Sequence, residues 1–133
     1  MLVPQDASAQ LSVAAVSTPY TITFDATVAG VSNGTFAGTG FQATPTAGRL
    51  DSDAWAITGM SDAPLAFGGT ATSGDYTQGN SAGAVTTGGI YAFTGGSIGA
   101  GRALGIQPTG ADWTPGTITL RVQNNTGAAL SSF

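Results

Sequence analysis

Short runs in which apolar and polar residues alternate recur along this chain, and a period of two predicts β-strands with one buried face. Residues 20–25 follow this pattern, and residues 53–58 repeat it with Trp55 and Ile57 on one face. Clusters of Gly, Pro and Asn, which are typical of turns, separate the runs. We therefore predict a chain of short strands joined by turns and loops.

The most regular run covers residues 117–123, where Ile118, Leu120 and Val122 point to one side and polar residues point to the other. The alternation has no exception over the whole run, as expected for a strand with one face on the core. We predict that this strand lies at the centre of a sheet and that its three apolar side chains are buried.

Two further strand candidates, residues 89–93 and 102–107, flank the Gly-rich segment 95–101, which predicts an antiparallel hairpin. The stretch 68–89 is rich in Gly and Thr and is predicted to be mostly loop. About seven or eight short strands, with no helical segments between them, indicate an all-β fold. We predict an antiparallel β-sandwich or a jelly-roll-like arrangement.

Composition excludes more classes of function than classes of fold. The chain contains no His, Cys, Lys or Glu, so its ionisable side chains are seven Asp, three Arg and three Tyr. Enzymes mostly use His, Cys, Lys or a carboxylate of tuned pKa, so we predict that this chain is not an enzyme. With 8% charged residues and a net charge of -4 it lacks the basic surface that nucleic acid requires. No apolar run predicts membrane insertion.

The N-terminus resembles the end of an export signal. Ala7, Ser8 and Ala9 match the small-x-small pattern that precedes a signal-peptidase cut. We interpret residues 1–9 as the remnant of a signal peptide, with a disordered N-terminus as the alternative. Residues 10–133 then form a single β-sandwich module, a size that one hydrophobic core supports.

Four segments carry a resemblance to a protein family: residues 48–55, 87–93, 102–108 and 113–127, the last of which begins with Trp-Thr-Pro-Gly. In this order they resemble the N-terminal, lectin-like β-sandwich module of large secreted bacterial proteins that carry sorting or anchoring tags. The resemblance implies an extracellular or cell-surface location. Modules of that kind continue with further strands after the Asn-Asn-Thr-Gly turn, so the sandwich is expected to be incomplete at the C-terminus. An open edge would favour self-association through edge strands.

Three residues are candidates for carbohydrate binding: Trp113, Asp112 and Tyr76. Exposed aromatic rings stack on the apolar faces of sugars, and a neighbouring carboxylate binds hydroxyl groups. Trp113 lies in a predicted loop and is the first choice for a stacking residue. Trp55 and Tyr91, in contrast, lie within predicted strands and are expected to be in the core.

Calcium is the one cofactor that the sequence leaves open. Asp51 and Asp53 lie on the same face of an extended segment, and Asp62 would add a third carboxylate, which suits a cation that prefers oxygen ligands. The alternative is that these are exposed aspartates beside a strand, one of them paired with Arg49.

We predict a non-catalytic extracellular module for adhesion, polysaccharide contact or structural spacing in a larger secreted protein. Its partners would be a polysaccharide or other domains of the same protein. One alternative is an accessory part of a secreted nuclease or hydrolase whose catalytic residues lie outside this chain. A second alternative is a self-assembling surface subunit, which low charge and open sheet edges favour.

Overall fold

A computed structural model of the chain describes residues 10–95 and 99–131, and within them it is almost entirely β-structure. The all-β prediction is confirmed. The predicted signal-peptide remnant, residues 1–9, lies outside the described residues, as do residues 96–98 of the predicted hairpin loop. The strands are β1 (Leu11–Val13), β2 (Ser32–Asn33), β3 (Phe41–Gln42), β4 (Arg49–Asp51), β5 (Trp55–Thr58), β6 (Asn80–Ser81), β7 (Gly89–Thr94), β8 (Arg102–Gln107), β9 (Thr117–Leu120) and β10 (Val122–Asn124), with one 3₁₀ turn at Gly74–Tyr76.

The strands form four small sheets: β1–β10, β2–β4–β3, β5–β9 and β6–β7–β8. Three of the pairings, β1–β10, β3–β4 and β6–β7, are parallel, whereas the sequence predicted antiparallel neighbours. Parallel strands need a crossover connection rather than a tight turn, and loops outside the strands provide it here. The sandwich or jelly-roll arrangement therefore stays a prediction. None of the helical turns in the described residues is long and apolar enough to cross a membrane.

The hairpin predicted from residues 89–93 and 102–107 is confirmed. Strands β7 and β8 pair antiparallel in register from Gly89 opposite Gln107 to Thr94 opposite Arg102. On this hairpin Tyr91 is only 5% exposed, as expected. Its ring stacks on that of Phe93 with 5.4 Å between the ring centroids.

One hydrophobic core holds the four sheets together. Trp55 lies in it, as predicted, and its indole N–H donates a hydrogen bond to the carbonyl oxygen of Val31 at 3.1 Å. Because this buried polar group has a partner, the large ring is accommodated without an unsatisfied donor. The core residues are Val31, Phe36, Phe41, Leu50, Ala54, Trp55, Ile57, Met60, Leu65, Tyr76, Ile90 and Ala92.

Residues 20–25 are not a strand, so this prediction was wrong. Ile22 and Phe24 nevertheless pack against the core, whereas Tyr20 is exposed. The centroid of the Phe24 ring lies 6.1 Å from that of Phe36 and 6.3 Å from that of Trp55. The Phe24 carbonyl oxygen accepts a hydrogen bond from the Phe36 N–H at 2.8 Å. The alternation of apolar and polar residues thus indicated inward-facing side chains. The backbone of this segment forms no β-ladder with a neighbouring strand.

The strand predicted over residues 117–123 forms, but it lies at an edge rather than at the centre. It is divided at Arg121 into β9 and β10, each of which pairs with one strand in the described part of the chain. Ile118 is 38% exposed, and Leu120 and Val122 are half-buried, so the prediction that all three are core residues was wrong. Alternation defines the inward face of a strand, but it does not say whether another element covers that face.

Candidate functional site

Trp113 is half-buried and packs against the core. Its indole ring lies over Gly116, where a Cβ atom would come within 2.3 Å of a ring carbon. Its backbone N–H donates a hydrogen bond to the carbonyl oxygen of Gly59. One face of the ring is therefore covered by the chain itself, which leaves only part of the ring for a ligand.

Asp112 turns inward, away from solvent, and is 6% exposed. Its carboxylate accepts hydrogen bonds from the Ser61 N–H and from the Thr109 hydroxyl, each at 2.8 Å. The hydrogen bond from the Ser61 N–H has the largest effect on the pKa of Asp112 and holds it below its usual value. The hydrogen bond from the Thr109 hydroxyl lowers this pKa further. The side chain thus connects two loops.

Tyr76 is 2% exposed, so its ring is not a surface platform. Its hydroxyl accepts a hydrogen bond from the Leu65 N–H at 3.1 Å and donates one to the Ala63 carbonyl at 2.9 Å. Burial raises the pKa of this phenol. Of the three residues predicted for carbohydrate binding, Tyr76 and Asp112 are buried and Trp113 is partly exposed; they do not share an exposed surface. Polysaccharide binding stays a prediction.

Asp51 and Asp53 belong to a tight turn between β4 and β5. The Asp51 carboxylate accepts a hydrogen bond from the Asp53 N–H at 3.0 Å, and Asp51 is only 5% exposed. The intervening Ser52 is fully buried and donates to the Gly69 carbonyl at 2.5 Å. Burial is the main reason that the pKa of Asp51 is raised. This turn is a folding element, in which an Asp side chain bonds the backbone two residues on.

Asp62 lies in a different cluster from Asp51 and Asp53. Its carboxylate accepts a hydrogen bond from the Asp75 N–H at 2.8 Å, and the Asp75 carboxylate accepts one from the Asp62 N–H at 2.9 Å. Over the described ranges, no group of three or more carboxylates is arranged to hold a metal ion. Asp75 was missed because it lies in the loop-rich stretch 68–89, where no residue pattern marks it.

An apolar groove of about 440 Å³ runs along β1, β9 and β10. We call it the apolar groove. Its lining includes Leu11, Val13, Val16, Tyr20, Leu120 and Val122. None of the described residues that line it is an Asp or an Arg. A surface of this kind suits an apolar partner, because an ion would lose its hydration there without gaining a counter-charge.

The segment after β1 forms one wall of the apolar groove. The Tyr20 hydroxyl accepts hydrogen bonds from the N–H groups of Ala14 at 2.7 Å and Ala15 at 2.9 Å. These bonds hold the bend of the chain between Ala15 and Tyr20. Val16 is 57% exposed to solvent, and Tyr20 is 38% exposed. Sequence reasoning missed the groove because its walls come from distant parts of the chain, and no local pattern joins residues 11–22 to residues 120–122.

Comparison with known proteins identifies no relative. No protein-family model, no curated protein and no solved structure matches this chain. The resemblance to modules of large secreted bacterial proteins therefore stays a prediction.

Proposed function

We propose that this chain is a non-catalytic extracellular module that works by contact with polypeptide, for adhesion or for structural spacing within a larger secreted protein. The apolar groove is the observation that supports this most, because it offers about 440 Å³ of open space and none of the described residues that line it is an Asp or an Arg. Apolar surface that is left open on a folded domain marks contact sites. The extracellular location rests on the sequence resemblance and on the low charge of the chain.

The arrangement of the carboxylates supports a role other than catalysis. Asp112 and Asp51 are buried and bond to backbone N–H groups, and Asp62 and Asp75 bond to each other's N–H groups. A general acid or base needs a carboxyl group that is free to exchange a proton with a substrate. Carboxylates that hold loops together in this way are better suited to maintaining the surface than to turnover.

Binding of a neutral fluorescent apolar dye such as Nile red tests the proposal. We expect saturable binding to the native protein and a clear weakening in Val16→Asp, because a carboxylate at the mouth of the apolar groove would lose solvation when the dye enters. Val16 is exposed, so the fold should tolerate this change. Ala82→Asp is the matched control, since it adds the same charge at an exposed position that does not line the groove. Absence of dye binding to the unchanged protein, or equal weakening in both variants, would overturn the proposal.

A further inference from the structure

The hydrogen bonds of β9 define which of its edges is free. Leu120 lies opposite Trp55 of β5, and the Arg121 N–H donates to the Ala54 carbonyl at 2.8 Å. In an antiparallel pair, backbone groups alternate in direction from one residue to the next. The N–H and C=O groups of Thr119 therefore point towards β5, and those of Ile118 and Leu120 point to the opposite edge.

After the break at Arg121 the chain continues as β10, which pairs with β1. The Asn125 N–H donates to the Val13 carbonyl of β1 at 2.7 Å, and Asn125 is an even number of residues from Arg121. Strand β5 thus pairs with β9, and strand β1 pairs with β10. Within the described residues no strand pairs with the other side of β9. This free edge carries the backbone groups of Ile118 and Leu120.

The side chains at this edge do not protect it from pairing. Natural sheets commonly place a charged residue such as Lys, or a Pro, which lacks a backbone N–H, on an exposed edge strand to prevent association. Here β9 reads Thr-Ile-Thr-Leu, with Ile118 exposed and Leu120 lining the apolar groove. The next residue, Arg121, has its guanidinium over the ring of Phe67, 3.9 Å from the centroid.

We propose that the free edge of β9 pairs antiparallel with the same edge of a second copy, about a two-fold axis at Thr119. This deepens the proposed function, on which it rests, by naming the partner. In this register Ile118 of each copy lies opposite Leu120 of the other, and their free N–H and C=O groups exchange hydrogen bonds. The strand is self-complementary because its apolar residues repeat with a period of two, so those of both copies share one face.

Charge favours a second copy over a charged peptide. None of the seven Asp residues lies after Asp112, so two copies joined at β9 bring no acidic residue into the paired strands. In the two-fold register Arg121 lies opposite a threonine, Thr117, and no like charges face each other. An acidic or basic peptide would instead place its charges along an uncharged strand beside an apolar groove.

Sedimentation velocity at increasing protein concentration tests the proposal on the whole chain. We expect conversion from monomer to dimer for the unchanged protein, and association weakened by at least about tenfold in Ile118→Lys. Gln123→Lys is the matched control, because it adds the same charge on the same extended segment at an exposed position outside β9. It should dimerise like the unchanged protein. Ile118→Ser, which adds no charge, should also weaken association. It replaces Ile118→Lys in the experiment if the lysine variant does not fold.

Two results would overturn the dimer: an unchanged protein that stays monomeric up to millimolar concentration, or Ile118 variants that associate as well as the control. The outcome is separable from that of the dye test. A monomer that binds Nile red in the apolar groove would refute the second copy as partner and leave the proposed function in place. A dimer that does not bind the dye would support pairing at β9 and refute the role of the groove.

Discussion

Truncating Leu50 should destabilise the protein much more than truncating Leu120, although both are leucines in strands. Leu50 is fully buried in the central strand of the β2–β4–β3 sheet. Replacing it by Ala removes apolar volume worth roughly 2–3 kcal/mol of transfer free energy at about 0.8 kcal/mol per buried methylene. The enclosed cavity adds to this loss, so Leu50→Ala should cost about 3–5 kcal/mol.

Leu120 is half-buried and borders the apolar groove, which already opens to solvent. About half of the transfer term is lost and no closed cavity forms, so Leu120→Ala should cost about 1 kcal/mol. Urea unfolding followed by tryptophan fluorescence measures both values, at a concentration low enough to keep the chain monomeric. Equal costs for the two variants would refute the conclusion that the inward face of β9 is open.

The remaining predictions concern the core, the carboxylates and Trp113. Trp55→Phe should lower the free energy of unfolding by about 1–3 kcal/mol, because it removes the bond to Val31 and part of a buried ring; an unchanged urea midpoint would contradict this. Because the pKa of Asp112 is lowered in the folded protein, its carboxylate stabilises the fold above pH 3.8. This contribution disappears as the pH falls from 3.8 towards the folded-state pKa. The difference in unfolding free energy between the unchanged protein and Asp112→Asn should therefore shrink on acidification. The raised pKa of Asp51 has the opposite effect, because ionising this buried carboxyl group destabilises the fold as the pH rises past 3.8. Relative to the unchanged protein, Asp51→Asn should therefore become more stable as the pH rises from acidic to neutral. Unfolding curves recorded over this pH range measure the change. Trp113→Ala should lower the melting temperature, since the ring packs against the core, whereas loss of retention on a polysaccharide column without a stability change would instead favour a sugar site. Hydrolase, nuclease and glycosidase screens should stay at background, and a turnover abolished by an Asp→Asn change would contradict the non-catalytic proposal.

The sequence predicts the inward side chains better than it predicts the neighbours of each strand. Trp55 and Ile57 were expected on the buried face, and they are in the core. Phe24 also faces the core, although its segment makes no strand. Alternation reflects contact with the apolar interior, which is local to each segment, whereas a ladder requires a partner that sequence-distant residues supply.

The candidate site was harder to predict for the same reason. Trp113 and Tyr76 were chosen for their ring chemistry, yet burial of Tyr76 depends on Phe41, whose ring meets it edge-on with 6.0 Å between the centroids. The apolar groove joins β1 to the β9–β10 strand across more than a hundred residues of sequence. A single sequence contains no signal for such a juxtaposition, because neither segment differs on its own from an ordinary half-buried strand.

Hydrogen exchange of the β9 amides, resolved by residue with NMR at low protein concentration, tests the free edge beside the apolar groove most directly. The account predicts slow exchange at Thr119 and Arg121, which bond towards β5, and fast exchange at Ile118 and Leu120, which point to the open side. At higher concentration, Ile118 and Leu120 should become protected while Thr119 changes little. Slow exchange at Ile118 and Leu120 at every concentration would contradict the account, because it would mean that residues of the same chain already cover this edge.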